Sequence, residues 1–278
     1  MDTIARIIFY GASLEMLAAV IGLAVLVLAI GLINRAFLWR VVRGVEWGSN
    51  NLGRVVAWGA LIMVLQQTMI VMLQRIFRVS DISIGIFGYV FTRDLSWYAE
   101  ELRLYNAAIV ALCAAYTFVQ GGHVRVDLFY ARFGFYGRRV IDMFGALFFV
   151  LPFMIVVWIF AWFFMWRHLV TPKVAATDTL ESLLRKAQLM RWNVETIGFS
   201  PSGFDGFFLF KVLLVLFAAT VFLQGLAFFY RSLLETIEGP ASAGKYSDLE
   251  RSTEDDAADA AREEASHGDP LAPEAGTP

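Results

Sequence analysis

The chain has 278 residues, of which 58% are hydrophobic and only 17% charged, and its mean hydropathy is +0.61. Such a composition excludes a water-soluble globular domain and a wholly disordered chain, and it predicts an integral membrane protein. The formal charge of -2 conceals a split: the last 31 residues, from Asp248, hold ten acidic and two basic side chains, so an acidic tail of -8 follows a basic membrane body of +6.

In chain order, Ile4 to Ile33 is a largely hydrophobic run, longer than the roughly 20 residues that cross a ~30 Å hydrocarbon core, and it reads as a first membrane helix. That length argues against a cleaved signal peptide. Arg6 lies where it can snorkel to the headgroups. Glu15 is the one charge well inside the run, readable as a carboxylate near headgroup level or as a partner contact. Arg35 to Arg54 carries Arg35, Arg40, Arg43 and Arg54 against the single acid Glu46, with Trp39 and Trp47 as interfacial anchors. We expect a cytoplasmic basic loop there. The second helix covers Val55 to Leu73, and Gln66, Gln67 and Thr68 past its middle are expected to face other helices or, alternatively, a substrate pathway.

Arg75 to Arg103 reads as a mixed loop leading into a third helix that ends at Val119. Ser96 is expected to cap that helix, with Glu100 and Glu101 favouring its positive N-terminal end. Cys113, the only cysteine, lies in the apolar part of this helix and has no partner for an intrachain disulfide. The stretch Gln120 to Tyr130, QGGHVRVDLFY, is where polar chemistry interrupts two apolar segments in an ordered way. Gly121 and Gly122 can end a helix. His123, Arg125 and Asp127 then alternate with Val124, Val126 and Leu128, as suits an elbow at a membrane surface.

A fourth helix is expected over Val140 to Trp166, dense in Phe and Trp, with Asp142 near its start and Pro152 able to kink it. In the loop Arg167 to Gly206, the segment Thr177 to Arg191 has the apolar residues Leu180, Leu183, Leu184 and Leu189 among charges, and suits an amphipathic helix on the membrane. The fifth helix is expected over Phe207 to Tyr230, with Lys211 near its start and Gln224 and Gly225 inside. After Gly239 and Pro240 the composition turns to Ala, Asp, Glu and Ser, which predicts disorder. Two stretches, Arg35 to Arg54 and Gln120 to Arg139, hold four arginines each. The positive-inside rule puts both in the cytoplasm, the N-terminus outside and the acidic tail inside. The fold class is thus an all-α integral membrane protein of five transmembrane helices with interfacial amphipathic segments. It divides into an N-terminal helix and basic loop (1–53), a four-helix membrane domain (54–239) and an acidic cytoplasmic tail (240–278).

From Arg54 to Leu234 the chain resembles the small membrane subunit of tripartite ATP-independent periplasmic (TRAP) transporters. The resemblance rests on Trp97, Glu100 and Arg103 ahead of a helix, the phrase GGHVRVDLFY, the run Arg138 to Gly145 followed by LFFVLPF, and the final phrase FLQGLAFFYRSL. The usual pattern has four helices with both ends cytoplasmic, whereas this chain adds a first helix, a longer outer loop and the acidic tail. The resemblance implies a small permease in the bacterial inner membrane that is not an enzyme. It would brace the stationary part of a large permease subunit, which imports a solute, usually a carboxylate, with sodium ions. A periplasmic solute-binding protein delivers that solute. Partners implied are the large permease, that receptor and membrane lipids, with no nucleic acid. No cofactor is implied for this chain, the sodium ions belonging to the partner subunit. Implied partner or interface contacts are Trp97, Glu100, Arg103, His123, Arg125, Asp127, Asp142 and Gln224.

Two other classes fit the sequence less well. A membrane-anchor subunit of a redox enzyme complex that bears haem wants two histidines inside facing helices; His123 and His168 sit at segment ends and His267 in the tail. A membrane-embedded enzyme wants a nucleophile, metal or phosphate motif, and the sequence displays none.

Overall fold

In the computed structural model the described residues are 7–8, 10–86, 89–120, 133–170, 181, 204 and 206–242. Among them, five helices are long and apolar enough to cross a membrane. The all-α membrane architecture read from the sequence is the one observed, with one small hairpin added.

Helix α1 spans Leu14–Ile33. It starts ten residues later than expected because Ser13 caps it, its Oγ accepting from the Met16 N–H at 3.2 Å. Glu15 therefore lies in the first turn, where a carboxylate favours the positive end of the helix. Helix α2 follows at once as Arg35–Arg75, 41 residues and about 60 Å long. This corrects the basic loop expected over Arg35 to Arg54, which is the first half of α2. A division of the chain at 53/54 falls inside that helix. Leu38, Val42, Glu46, Ser49, Asn50 and Gly53 are buried at spacings of three and four, so this half packs one face while its arginines point away.

The mixed loop after α2 contains strands β1 (Asp81–Ile86) and β2 (Tyr89–Asp94), paired antiparallel from Asp81 opposite Asp94 to Ile86 opposite Tyr89. Helix α3, Leu95–Val119, begins directly at the end of β2 with Asp94 at its cap position. Ser96 is inside its first turn and is not the cap. Helix α4, Phe135–Gly145, runs through a π-helical turn, Ala146–Val150, into α5, Leu151–Val170. Pro152 lacks an N–H and its ring crowds the carbonyl four residues back, so the wider turn just before it lets the helix pass without a break. Helix α6, Phe208–Glu238, continues two turns beyond the expected end at Tyr230. It stops at Gly239, whose φ of 83° suits glycine.

Helix α6 is the central element, touching α2, α3, α4 and α5, while α1 packs chiefly on α2. At one end of the bundle, Leu38, Trp39 and Val42 of α2 meet Tyr230 and Leu234 of α6. At the other, the hairpin end, Ile70 meets Leu95 and Leu102. There too, Ala161, Met165 and Leu169 of α5 meet Val215 of α6. The elbow after Gln120, the segment Thr177 to Arg191 apart from residue 181, and the tail from 243 onward lie outside the described residues.

Candidate functional site

The amphipathic half of α2 buries a carboxylate, Glu46, only 4% exposed. A lone buried charge is costly enough that it must be paired. Arg231 of α6 supplies the pair: its Nε donates to Glu46 Oε1 at 2.7 Å and its Nη2 to Oε2. One turn on, Glu235 is also buried, 4.0 Å from Arg231 Nη1 and 2.7 Å from Nε of Arg139 in α4. Arg139 in turn donates to Asp142 at 3.3 Å. Trp39 closes the cluster, with its ring 5.7 Å from the Arg231 guanidinium and its Nε1 donating to Glu238 at 3.1 Å. An alternating acid and base chain thus joins α2, α6 and α4 at the end opposite the hairpin.

Toward the middle of the bundle the ties become neutral. Ser49 Oγ donates to Gln224 Oε1 at 3.0 Å, and Gln120 Nε2 donates to Asn50 Oδ1 at 3.2 Å. At the hairpin end, Gln66 Nε2 donates to Glu101 Oε2 at 3.3 Å while the Tyr105 hydroxyl donates to Oε1 at 2.7 Å. Gln66 is therefore helix-to-helix glue, whereas Thr68 Oγ1 bonds its own helix at Val64 O. Lys211, 3% exposed near the start of α6, lies 4.9 Å from the Phe164 ring and 5.4 Å from that of Phe207.

The residues singled out from the sequence do not gather in one place. Trp97 packs edge-on against Tyr98 and Phe204, and Glu100 Oε2 accepts from the Phe204 N–H at 2.9 Å, both at the hairpin end. Arg103 is exposed on α3. Asp142 is at the opposite end in the ion-pair chain, and Gln224, 1% exposed, is inside the bundle. His123, Arg125 and Asp127 lie outside the described residues. The ion-pair chain itself escaped sequence reasoning, although Glu46 was visible as the one acid in a basic stretch and Arg231 and Glu235 as an i,i+4 pair.

No curated protein and no solved structure matches the chain. A family model does match, over residues 84–185, and its description is the DctQ component of tripartite ATP-independent periplasmic transporters. The matched segment takes in the hairpin from the middle of β1 onward, α3, α4 and α5. This multi-pass membrane protein is thus similar, over residues 84–185, to the small permease component of TRAP transporters.

Proposed function

We propose that the chain is the small permease subunit of a TRAP transporter in the bacterial inner membrane, where it scaffolds a large sodium-coupled permease. The complex takes up a carboxylate-type solute delivered by a periplasmic binding protein. The observation that carries this reading is the match of residues 84–185 to the small-permease family. The geometry supports a bracing role, because the buried charges of α2, α4 and α6 are spent on one another and tie helix ends together. Trp97, Glu100, Asp142 and Gln224 serve that role by holding the bundle in shape for the partner, and Arg103 is displayed toward it. The basic half of α2 and the start of α4 face the cytoplasm, with the chain start outside and the acidic tail inside.

The test is reconstitution of the chain alone and with its large permease and receptor, followed by solute uptake under an inward sodium gradient. Uptake is expected only from the full assembly. Sodium-driven uptake by the purified small subunit alone would overturn the scaffold reading.

A further inference from the structure

Helix α1 is held to the bundle at its two ends and stands off between them. At its start, Nε1 of Trp158 and Nε1 of Trp162, both on α5, donate to the backbone oxygens of Gly11 and Ile8 at 2.8 and 3.0 Å. Gly11 lies so close to the Trp162 indole that no Cβ would fit. Further along, the Tyr230 hydroxyl of α6 donates to Ala24 O at 2.7 Å, and Gly31 rests against Leu38 of α2. Between these staples a cleft of about 310 Å³ separates Met16, Leu17 and Val20 from Met154 and Ile155 of α5 and Phe222 of α6.

Depth, lining and access decide what fills this cleft. No charged residue occurs over 16–33, 151–166 or 212–230, the parts of α1, α5 and α6 around it, so it lies in the hydrocarbon layer. Its polar side chains, Ser13 and Trp158, are spent within the chain, Ser13 on Tyr10 O and the Met16 N–H and Trp158 on Gly11 O. Water, which needs roughly two to four polar partners, finds none. A protein helix, about 10–12 Å across, cannot enter while α1 is held at both ends, and the acidic tail is excluded by its charge. Left empty, the walls would forgo their dispersion contacts. A narrow, flexible, apolar occupant remains. An apolar cavity of about 150 Å³ takes a benzene, so this one holds about a dozen carbons, the greater part of one fatty acyl chain. From Ser13 to Leu23 it runs along about 15 Å of helix, which is the depth of one leaflet of a ~30 Å core.

We propose that the cleft between α1 and the facing surfaces of α5 and α6 is the seat of one acyl chain of a membrane phospholipid, wedged behind α1. Trp158 and Trp162 mark the end where headgroups begin, so the glycerol lies beside them and the chain's methyl end beside Leu23. The lipid supplies the packing that α1 does not find on α5 and α6, and so couples this helix to the bundle between its staples. The inference needs only the membrane embedding of the chain and is independent of any large permease.

The test reconstitutes the full-length chain in phosphatidylethanolamine and phosphatidylglycerol vesicles that contain a phosphatidylethanolamine with a diazirine in mid-chain. The sample is irradiated before or after exhaustive detergent washing, and adducts are mapped by peptide mass spectrometry. Before washing, adducts are expected at Val20 and Phe222 in the cleft and at Phe160, which is 71% exposed on α5. Washing should lower labelling of Phe160 by about tenfold and that of the cleft by less than about twofold, because a chain behind a helix held at both ends leaves only when one end opens. Trp158→Phe, which keeps a ring but removes the bond to Gly11, should speed loss of the cleft label. Val20→Phe with Ala219→Leu, which fills the cleft, should abolish that label and spare Phe160. Cleft and Phe160 labels that fall in parallel, a cleft unlabelled in vesicles, or a filled variant that keeps its cleft label would overturn the proposal. A free fatty acid or a quinone found in the cleft by native mass spectrometry would overturn it too. Should the filled variant fail to reach the membrane, the washing ratio of the wild type decides by itself.

Discussion

Replacing Arg231 with Met tests the ion-pair chain most directly. The Arg231 side chain is 13% exposed and its partners Glu46 and Glu235 are 5% and 2% exposed, so Arg231→Met takes the two-point guanidinium contact from Glu46 and leaves Glu235 to Arg139. Breaking a buried pair by removing one member costs about 3–5 kcal/mol, and because Arg231 keeps some access to water we take the lower end, about 3 kcal/mol. At about 2–4 °C per kcal/mol for a chain of this size, the unfolding midpoint in detergent, followed by tryptophan fluorescence, should fall by roughly 6–12 °C. Adding Glu46→Met removes the buried carboxylate as well, and replacing both members of a buried pair by apolar side chains is near neutral or stabilising. The double variant should therefore recover most of the loss, a coupling that the cycle of single and double variants measures directly. A single variant as stable as the wild type, or a double variant no better than the single, would refute the reasoning.

Gly53→Val should destabilise by the ~1–3 kcal/mol typical of overpacking, read as a lower midpoint, since a Cβ there would sit 2.4 Å from the Tyr116 ring, whereas Gly59→Ala, with nothing within 4 Å, should be neutral or stabilising. Gln224→Leu removes the acceptor of Ser49 and should cost about 1 kcal/mol, read in the same melting assay. Cysteines introduced at Thr3 and Ser252 after Cys113→Ser should be labelled from opposite sides of the membrane; labelling from the same side would overturn the orientation.

The membrane helices were legible because each is a run of apolar residues whose length the bilayer dictates, and that signal survives without knowledge of any neighbour. The first half of α2 was not, because its arginines drew attention away from a helical period in Leu38, Val42, Glu46, Ser49 and Gly53 whose buried face is half polar. The extension of α6 past Tyr230 was hidden for the same reason: Arg231 and Glu235 look like solvent residues until Glu46 and Arg139, distant in sequence, are brought beside them. The hairpin had a local signal in the alternation Ile82, Ile84, Ile86 before the β-favouring run Tyr89 to Thr92, which reads as paired strands. The break ahead of α1 was written in Ser13 and Glu15, a cap and a first-turn acid.

Between apolar helices in lipid there is little hydrophobic force, so association has to come from close packing and from polar ties. This bundle uses both. Gly31 lies against Leu38, Gly53 against Tyr116 and Gly225 against Val150, each so close that a Cβ would fall within 3.0 Å of its neighbour. The polar ties run from Glu46 and Arg231 at one end, through Ser49 with Gln224, to Gln66 with Glu101 at the other. Ties at both ends of the bundle restrain sliding of one helix against another, as the proposed bracing role requires.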